Sequence, residues 1–217
     1  YETLAAQATA LHDAFPGFGV LFSVKANPFP PVVRALASLG IGADAASPNE
    51  VLLVSSCGMK PEDIYFSAAG KSRKALETAW DRCHIIADSI GDVVRIGQLA
   101  AEKNRPCAVG IRVHPAFDMD GVAGGPSKFG ICEEDLPALR QAIASLPVTV
   151  CGLHVHLRSQ NLDNGVLARY YESCFALALR VRDTLDCRLE YINFGGGVGI
   201  AYHGGQQPLN MAALRQA

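Results

Sequence analysis

The stretch GVLFSVKANPFPP (19–31) begins as an apolar run rich in β-branched and aromatic residues and stops abruptly at its prolines. Its first part, GVLFSVKA (19–26), reads as a buried parallel strand that carries an ammonium group, Lys25, to its C-terminal tip. Six further runs share the pattern: IGADAAS (41–47), DIYFSAAG (63–70), HIIADS (84–89), CAVGIRVH (107–114), VTVCGLHVHL (148–157) and LEYINFGGG (189–197). Each is short, apolar and bounded by Gly, Pro, Asn or Ser. Amphipathic segments such as PPVVRALASLG, PNEVLLVSSCG and EEDLPALRQAIASL alternate with them, and Gly40 and Gly58 stand where helices should end.

A regular alternation of strand and helix implies an α/β fold with a parallel sheet. An open doubly wound sheet would gather its polar residues at one switch point. Here Lys25, Asp44, Ser67, Asp88, Arg112, His156 and Asn193 fall at the C-terminal ends of all the strands, which favours a (β/α)8 barrel of the TIM type. Seven strands are readable, one short of closure.

Composition excludes several functions. The chain has 217 residues, 49% hydrophobic and 18% charged, with a formal net charge of -2 and scattered basic residues. No nucleic-acid surface is expected from that balance, and no apolar run is long enough to span a bilayer. Seven dispersed cysteines without C-x-x-C or zinc spacing fit free thiols in a reducing cytoplasm, and no metal site is expected. The chain starts at Tyr1 rather than Met, so that start is not expected to be the natural one.

FGGGVGI (194–200) lies between a strand and a helical segment, and its triple glycine suits backbone N–H groups converging on a phosphate. The dinucleotide pattern G-x-G-x-x-G fails there, because Ile200 occupies the third position. AAGKS (68–72) resembles the end of a phosphate-binding P-loop, but Tyr65 stands where that loop's first Gly belongs, so the match reads as coincidence. In GLHVHLRSQ (152–160), His154 reads as a hydrogen-bonded core residue and His156 as a rim imidazole able to stack on a planar ligand. Arg112 reads either as a pocket residue or as a structural ion pair with Asp88 or Glu50. GGPSKFGI (124–131) reads as a flexible loop. A strand-tip lysine, a phosphate loop and a stacking imidazole together meet the needs of pyridoxal 5'-phosphate. An apolar strand around Lys25 would also lower its pKa, as imine formation requires.

FSVKAN, GADAASPNE, SKFGI, GLHVHLRSQ and FGGGVGI, in this order, resemble the fold-type III pyridoxal-phosphate decarboxylases that act on diaminopimelate, ornithine and arginine. The resemblance implies an alanine racemase-type barrel over residues 1–217, without its eighth strand and without the C-terminal β-domain that would complete the enzyme. It implies Lys25 as the Schiff-base lysine, His156 as the ring-stacking residue, Ser159, Gly195, Gly196 and Gly197 as phosphate contacts, and Asp44 and Arg112 as pocket lining. It further implies a cytoplasmic homodimer that decarboxylates a small amino acid. Arg158 departs from the family, which often has Gly there, and reads either as a contact for an extra negative group such as a carboxylate on the substrate or as a solvent-facing substitution with no role. An amino-acid racemase and a non-catalytic pyridoxal-phosphate carrier are the alternatives.

Overall fold

Serine starts three of the helices. Ser47, Ser72 and Ser89 each accept, through the side-chain oxygen, the backbone N–H three residues ahead (Glu50, Ala75 and Asp92, at 3.2, 3.2 and 3.1 Å). Each cap satisfies a donor that the first helical turn leaves unpaired, which contributes about 1 kcal/mol. Gly40 and Gly58 follow helix ends with φ of +74° and +94°, the left-handed conformation expected of them.

The computed structural model describes residues 1–120 and 123–216. The chain forms two units, Tyr1–Ile86 and the part from Ala87 onward. In chain order the first holds α1 (Glu2–Ala14), β1 (Leu21–Ser23), α2 (Pro30–Ser38), β2 (Gly42–Ala45), α3 (Pro48–Ser56), β3 (Ile64–Phe66) and α4 (Arg73–Ala79). β4 (His84–Ala87) ends the series. β1 pairs with β2, β2 with β3 and β3 with β4, all parallel. Val24, Val33, Ala43, Val54 and Ile64 are wholly buried at the centre of the unit. The valines and the isoleucine among them each contribute roughly 1.5–3 kcal/mol relative to exposure.

The second unit holds α5 (Ile90–Glu102), β5 (Cys107–His114), β6 (Ile131–Cys132), α6 (Leu136–Ile143), β7 (Val148–His154), α7 (Asn164–Leu185), β8 (Tyr191–Asn193) and α8 (Met211–Gln216). β5 pairs with β7 and β7 with β8, again parallel. Among the described residues, no helix is long and apolar enough to cross a membrane.

All seven expected strands are present, several of them shorter than the sequence patterns. The first is the most altered, ending at Ser23. Lys25 therefore lies outside the strand, exposed on a 3-10 turn over Val24–Ala26. That turn is closed by the Asn27 N–H, which donates to the Val24 carbonyl at 3.1 Å and takes these residues out of the ladder. The apolar burial expected around Lys25 is not supplied by β1. The loop 124–131 leads into a short strand that the sequence patterns did not include. Gly130, at φ +82°, turns the chain so that β6 returns parallel to the end of β5.

Candidate active site

The C-terminal strand ends carry the polar residues in both units. In the first, β1 and β2 pair Ser23 with Asp44, so Lys25 lies two residues beyond Asp44's partner. The Ser67 hydroxyl donates to Asp44 Oδ1 at 2.5 Å and holds that carboxylate at the rim. Lys71, the lysine of AAGKS, is buried at 3% exposure. Its ammonium donates to the carbonyls of Ala68 and Ile86 and lies 5.0 Å from the Phe66 ring centroid. That lysine joins the ends of β3 and β4, which agrees with reading the P-loop match as coincidence.

In the second unit Arg112, on β5 opposite His154 of β7, is the hub. Its Nη1 lies 3.6 Å from Asp88 Oδ1, and its Nη2 donates to the His156 carbonyl at 3.3 Å. The guanidinium also covers the Phe129 ring at 4.8 Å. Of the two partners considered from sequence, Asp88 is the one found. Glu50 instead accepts the Ala46 N–H. His154 is buried at 6% exposure, whereas His156 lies just past β7 and is half-buried.

His156, Ser159 and the triple glycine come together. Ser159 Oγ is 3.4 Å from His156 Nε2. Asn161 N donates to Gly197 O at 2.7 Å and Gly199 N to Asn161 O at 2.8 Å, extending the β7–β8 pairing beyond both strands. Gly195, Gly196 and Gly197 have φ of +72°, +139° and +108°, so only glycine fits without strain. A Cβ on Gly195 would stand 2.4 Å from His156 Cβ, and one on Gly196 would meet no atom within 4 Å. The loop is thus pressed against His156 and open at Gly196.

One expectation needs correction. The three amides do not all face a common point: Gly195 N donates to Asn193 Oδ1 and Gly196 N to the Phe194 carbonyl, both at 2.8 Å. The second bond spans only two residues, a short-range contact that an anion can replace.

Arg158 is exposed and paired with Asp118, whose other carboxylate oxygen accepts the Met119 N–H at 2.7 Å. Sequence reading placed Arg158 at the rim but missed this partner, 40 residues away. An open cleft of ≈ 540 Å³ lined by Arg158, Ser159, Asn161 and Gln206, among others, lies beside it.

Residues 1–217 match the family model described as "Pyridoxal-dependent decarboxylase, pyridoxal binding domain". The chain belongs to this family. The pyridoxal-binding domain is 30% identical over 207 residues to L-glutamyl-[BtrI acyl-carrier protein] decarboxylase of Niallia circulans, covering 92% of this chain and 48% of that protein. It is 32% identical over 208 residues to diaminopimelate decarboxylase of Archaeoglobus fulgidus, covering 92% and 49%. The crystal structure of Helicobacter pylori diaminopimelate decarboxylase complexed with L-lysine superposes with a TM-score of 0.84 at 24% identity, covering 99% of this chain and 57% of that one. The α/β barrel fold expected from the strand pattern is therefore the fold of this domain. The chain spans about half the length of the curated relatives it matches.

The group such a domain binds is pyridoxal phosphate. The residues present fit it: a loop in glycine-only conformations, open at Gly196, beside an exposed Ser159 hydroxyl and the His156 imidazole.

Proposed function

We propose that this domain serves a pyridoxal-phosphate-dependent amino-acid decarboxylase. The observation that carries the reading is the loop Gly195–Gly197 seated against His156, in a chain that matches the family over its whole length. When bound, pyridoxal phosphate supplies an aldehyde for the substrate's amine and a ring that takes up the electrons left when the α-carboxylate departs as carbon dioxide.

The chain's own residues bind and orient. In the first unit, Lys25 offers an exposed amine for covalent attachment of the cofactor, and Asp44, held by Ser67, keeps a carboxylate in the pocket lining. In the second, Ser159 and the glycine loop would take the phosphate, and the His156 imidazole, 3.4 Å from Ser159 Oγ, would stack on the ring. Arg112 fixes the His156 main chain. The relatives favour diaminopimelate or a related amino acid as substrate, and their activities favour decarboxylation over racemisation or simple cofactor carriage. Arg158 is assigned to a second substrate carboxylate, which must displace Asp118 from it. A homodimer in the cytoplasm fits the seven free cysteines and completes the proposal.

The test is carbon dioxide release by the full-length protein, supplied with pyridoxal phosphate and screened against diaminopimelate, other amino acids and carrier-linked glutamate. Release that disappears in Lys25→Ala is expected. Racemisation without carbon dioxide, or cofactor binding with no turnover of any substrate, would overturn the reading.

A further inference from the structure

A buried hydroxyl sits behind the anion loop. Tyr170, on the inward face of α7, is 1% exposed, and its Oη lies 2.9 Å from two carbonyl oxygens, Val155 O and Phe194 O, which share its one hydroxyl proton. These are the residues immediately before His156 and Gly195.

The hydrogen bonds around them show what the hydroxyl replaces. Val155 N donates to Asn193 O at 2.9 Å, a parallel-ladder bond. In an unbroken parallel ladder the next donor, to Val155 O, is the N–H two residues beyond Asn193, that of Gly195. That N–H has turned away to Asn193 Oδ1. A buried carbonyl that loses its ladder donor is costly unless another group pairs with it. Tyr170 is that group. We propose that Tyr170 is the positioning residue of the anion loop: by taking the ladder place at Val155 O, with Phe194 O as the second acceptor of the same shared proton, its hydroxyl frees the Gly195 amide for the phosphate of the cofactor.

The inference rests on the pyridoxal-phosphate reading of the site. It adds a residue that touches neither cofactor nor substrate and acts only through the main chain on either side of them. Burial pushes the Tyr170 phenol above its ordinary range, so the hydroxyl stays protonated and a donor at any working pH. Gly195 N can then exchange Asn193 Oδ1 for a phosphate oxygen without breaking the strand pairing.

The experiment compares full-length wild type, Tyr170→Phe and Leu177→Ala. Leu177 is wholly buried on the same helix, and its truncation serves as a destabilising control away from the two carbonyls. Affinities for pyridoxal phosphate and for pyridoxal, which lacks the phosphate, are measured together with the phosphorus-31 resonance of the bound cofactor. Tyr170→Phe should weaken pyridoxal phosphate roughly tenfold, shift the phosphorus resonance and leave pyridoxal nearly unchanged. Leu177→Ala should lower the melting temperature and keep wild-type affinities. Equal losses for both ligands, or an unchanged resonance and affinity in Tyr170→Phe, would overturn the inference. A wild-type protein that binds pyridoxal phosphate no better than pyridoxal would instead overturn the phosphate site itself.

Discussion

The Arg112 guanidinium donates to the main-chain oxygen of His156, 44 residues further along the chain, at 3.3 Å. One side chain on β5 thereby holds the turn that presents the imidazole, while its other nitrogen faces Asp88 at 3.6 Å. Arg112 thus makes the structural ion pair considered for it and also holds the His156 main chain.

Arg112→Met should destabilise the protein by about 3 kcal/mol, because it takes a cationic neighbour from the buried Asp88 carboxylate, 6% exposed. Arg112→Lys should recover part of that loss but not the double engagement, since an ammonium lacks the planar fork. Urea unfolding of the three proteins checks this. A Met variant within about 0.5 kcal/mol of wild type, the scatter of neutral surface changes, would show that the pair contributes nothing.

Gly195→Ala should damage both fold and site. The residue sits at φ +72° and its Cβ would lie 2.4 Å from His156 Cβ and 2.5 Å from Val155 O. Strain at such a position costs about 1–3 kcal/mol, and relief must come from moving His156 or the loop. Gly196→Ala meets no atom within 4 Å and pays only the backbone term, at φ +139°. Thermal melts should place Gly195→Ala below Gly196→Ala, and the opposite order would contradict the packing described.

Acid should loosen α7 from the 3-10 turn over Glu133–Asp135 that precedes α6. Burial raises the Glu133 carboxyl, but the Arg180 hydrogen bond at 2.6 Å, the Ala116 N–H and the Arg180 charge outweigh it and hold the carboxyl below 4.5. A folded value below the unfolded one means the stabilisation is present above the unfolded value and is lost as pH falls through the folded one. The melting-temperature gap between wild type and Glu133→Gln should be constant at neutral pH and narrow below pH 4.5. A gap independent of pH would remove Glu133 from the acid response.

Three thiols should be silent in the native protein. Burial pushes Cys83 and Cys174 up to about 12 and Cys151 to about 11, which leaves almost no thiolate at pH 8. Mass mapping after iodoacetamide treatment should find these positions unmodified until urea is added. Alkylation of Cys174 at the denatured rate would mean that the face of α7 carrying Tyr170 is open in solution.

Local chemistry made much of the fold readable. Seven apolar runs are seven strands, and prolines and glycines mark the boundaries at Pro30, Pro48, Gly40 and Gly58. These features act over four or five residues, the reach of a cap, a turn or a strand's alternation. The same range explains the misplacement of Lys25: apolar neighbours suggested a strand, whereas the chain leaves the ladder after Ser23 and turns over Val24–Ala26. Motif order also pointed to the family, because five short segments recur along one chain.

What sequence could not supply were pairings between distant segments. Asp118 neutralises Arg158 across 40 residues, Lys71 finds Ile86 across 15, and Tyr170 reaches Phe194 across 24. A single helical tyrosine announces only that its hydroxyl, once buried, will need a partner. Which carbonyl answers depends on how β7, β8 and α7 are brought together. The sequence alone determined the alternation of strands and helices, the glycine-only loop and the identity of the groups at the strand ends. Only the tertiary structure decided that Gly195 would leave the ladder and that Tyr170 would take its place, because a backbone donor's partner is set by the neighbour packed against it and not by the residues beside it in the chain.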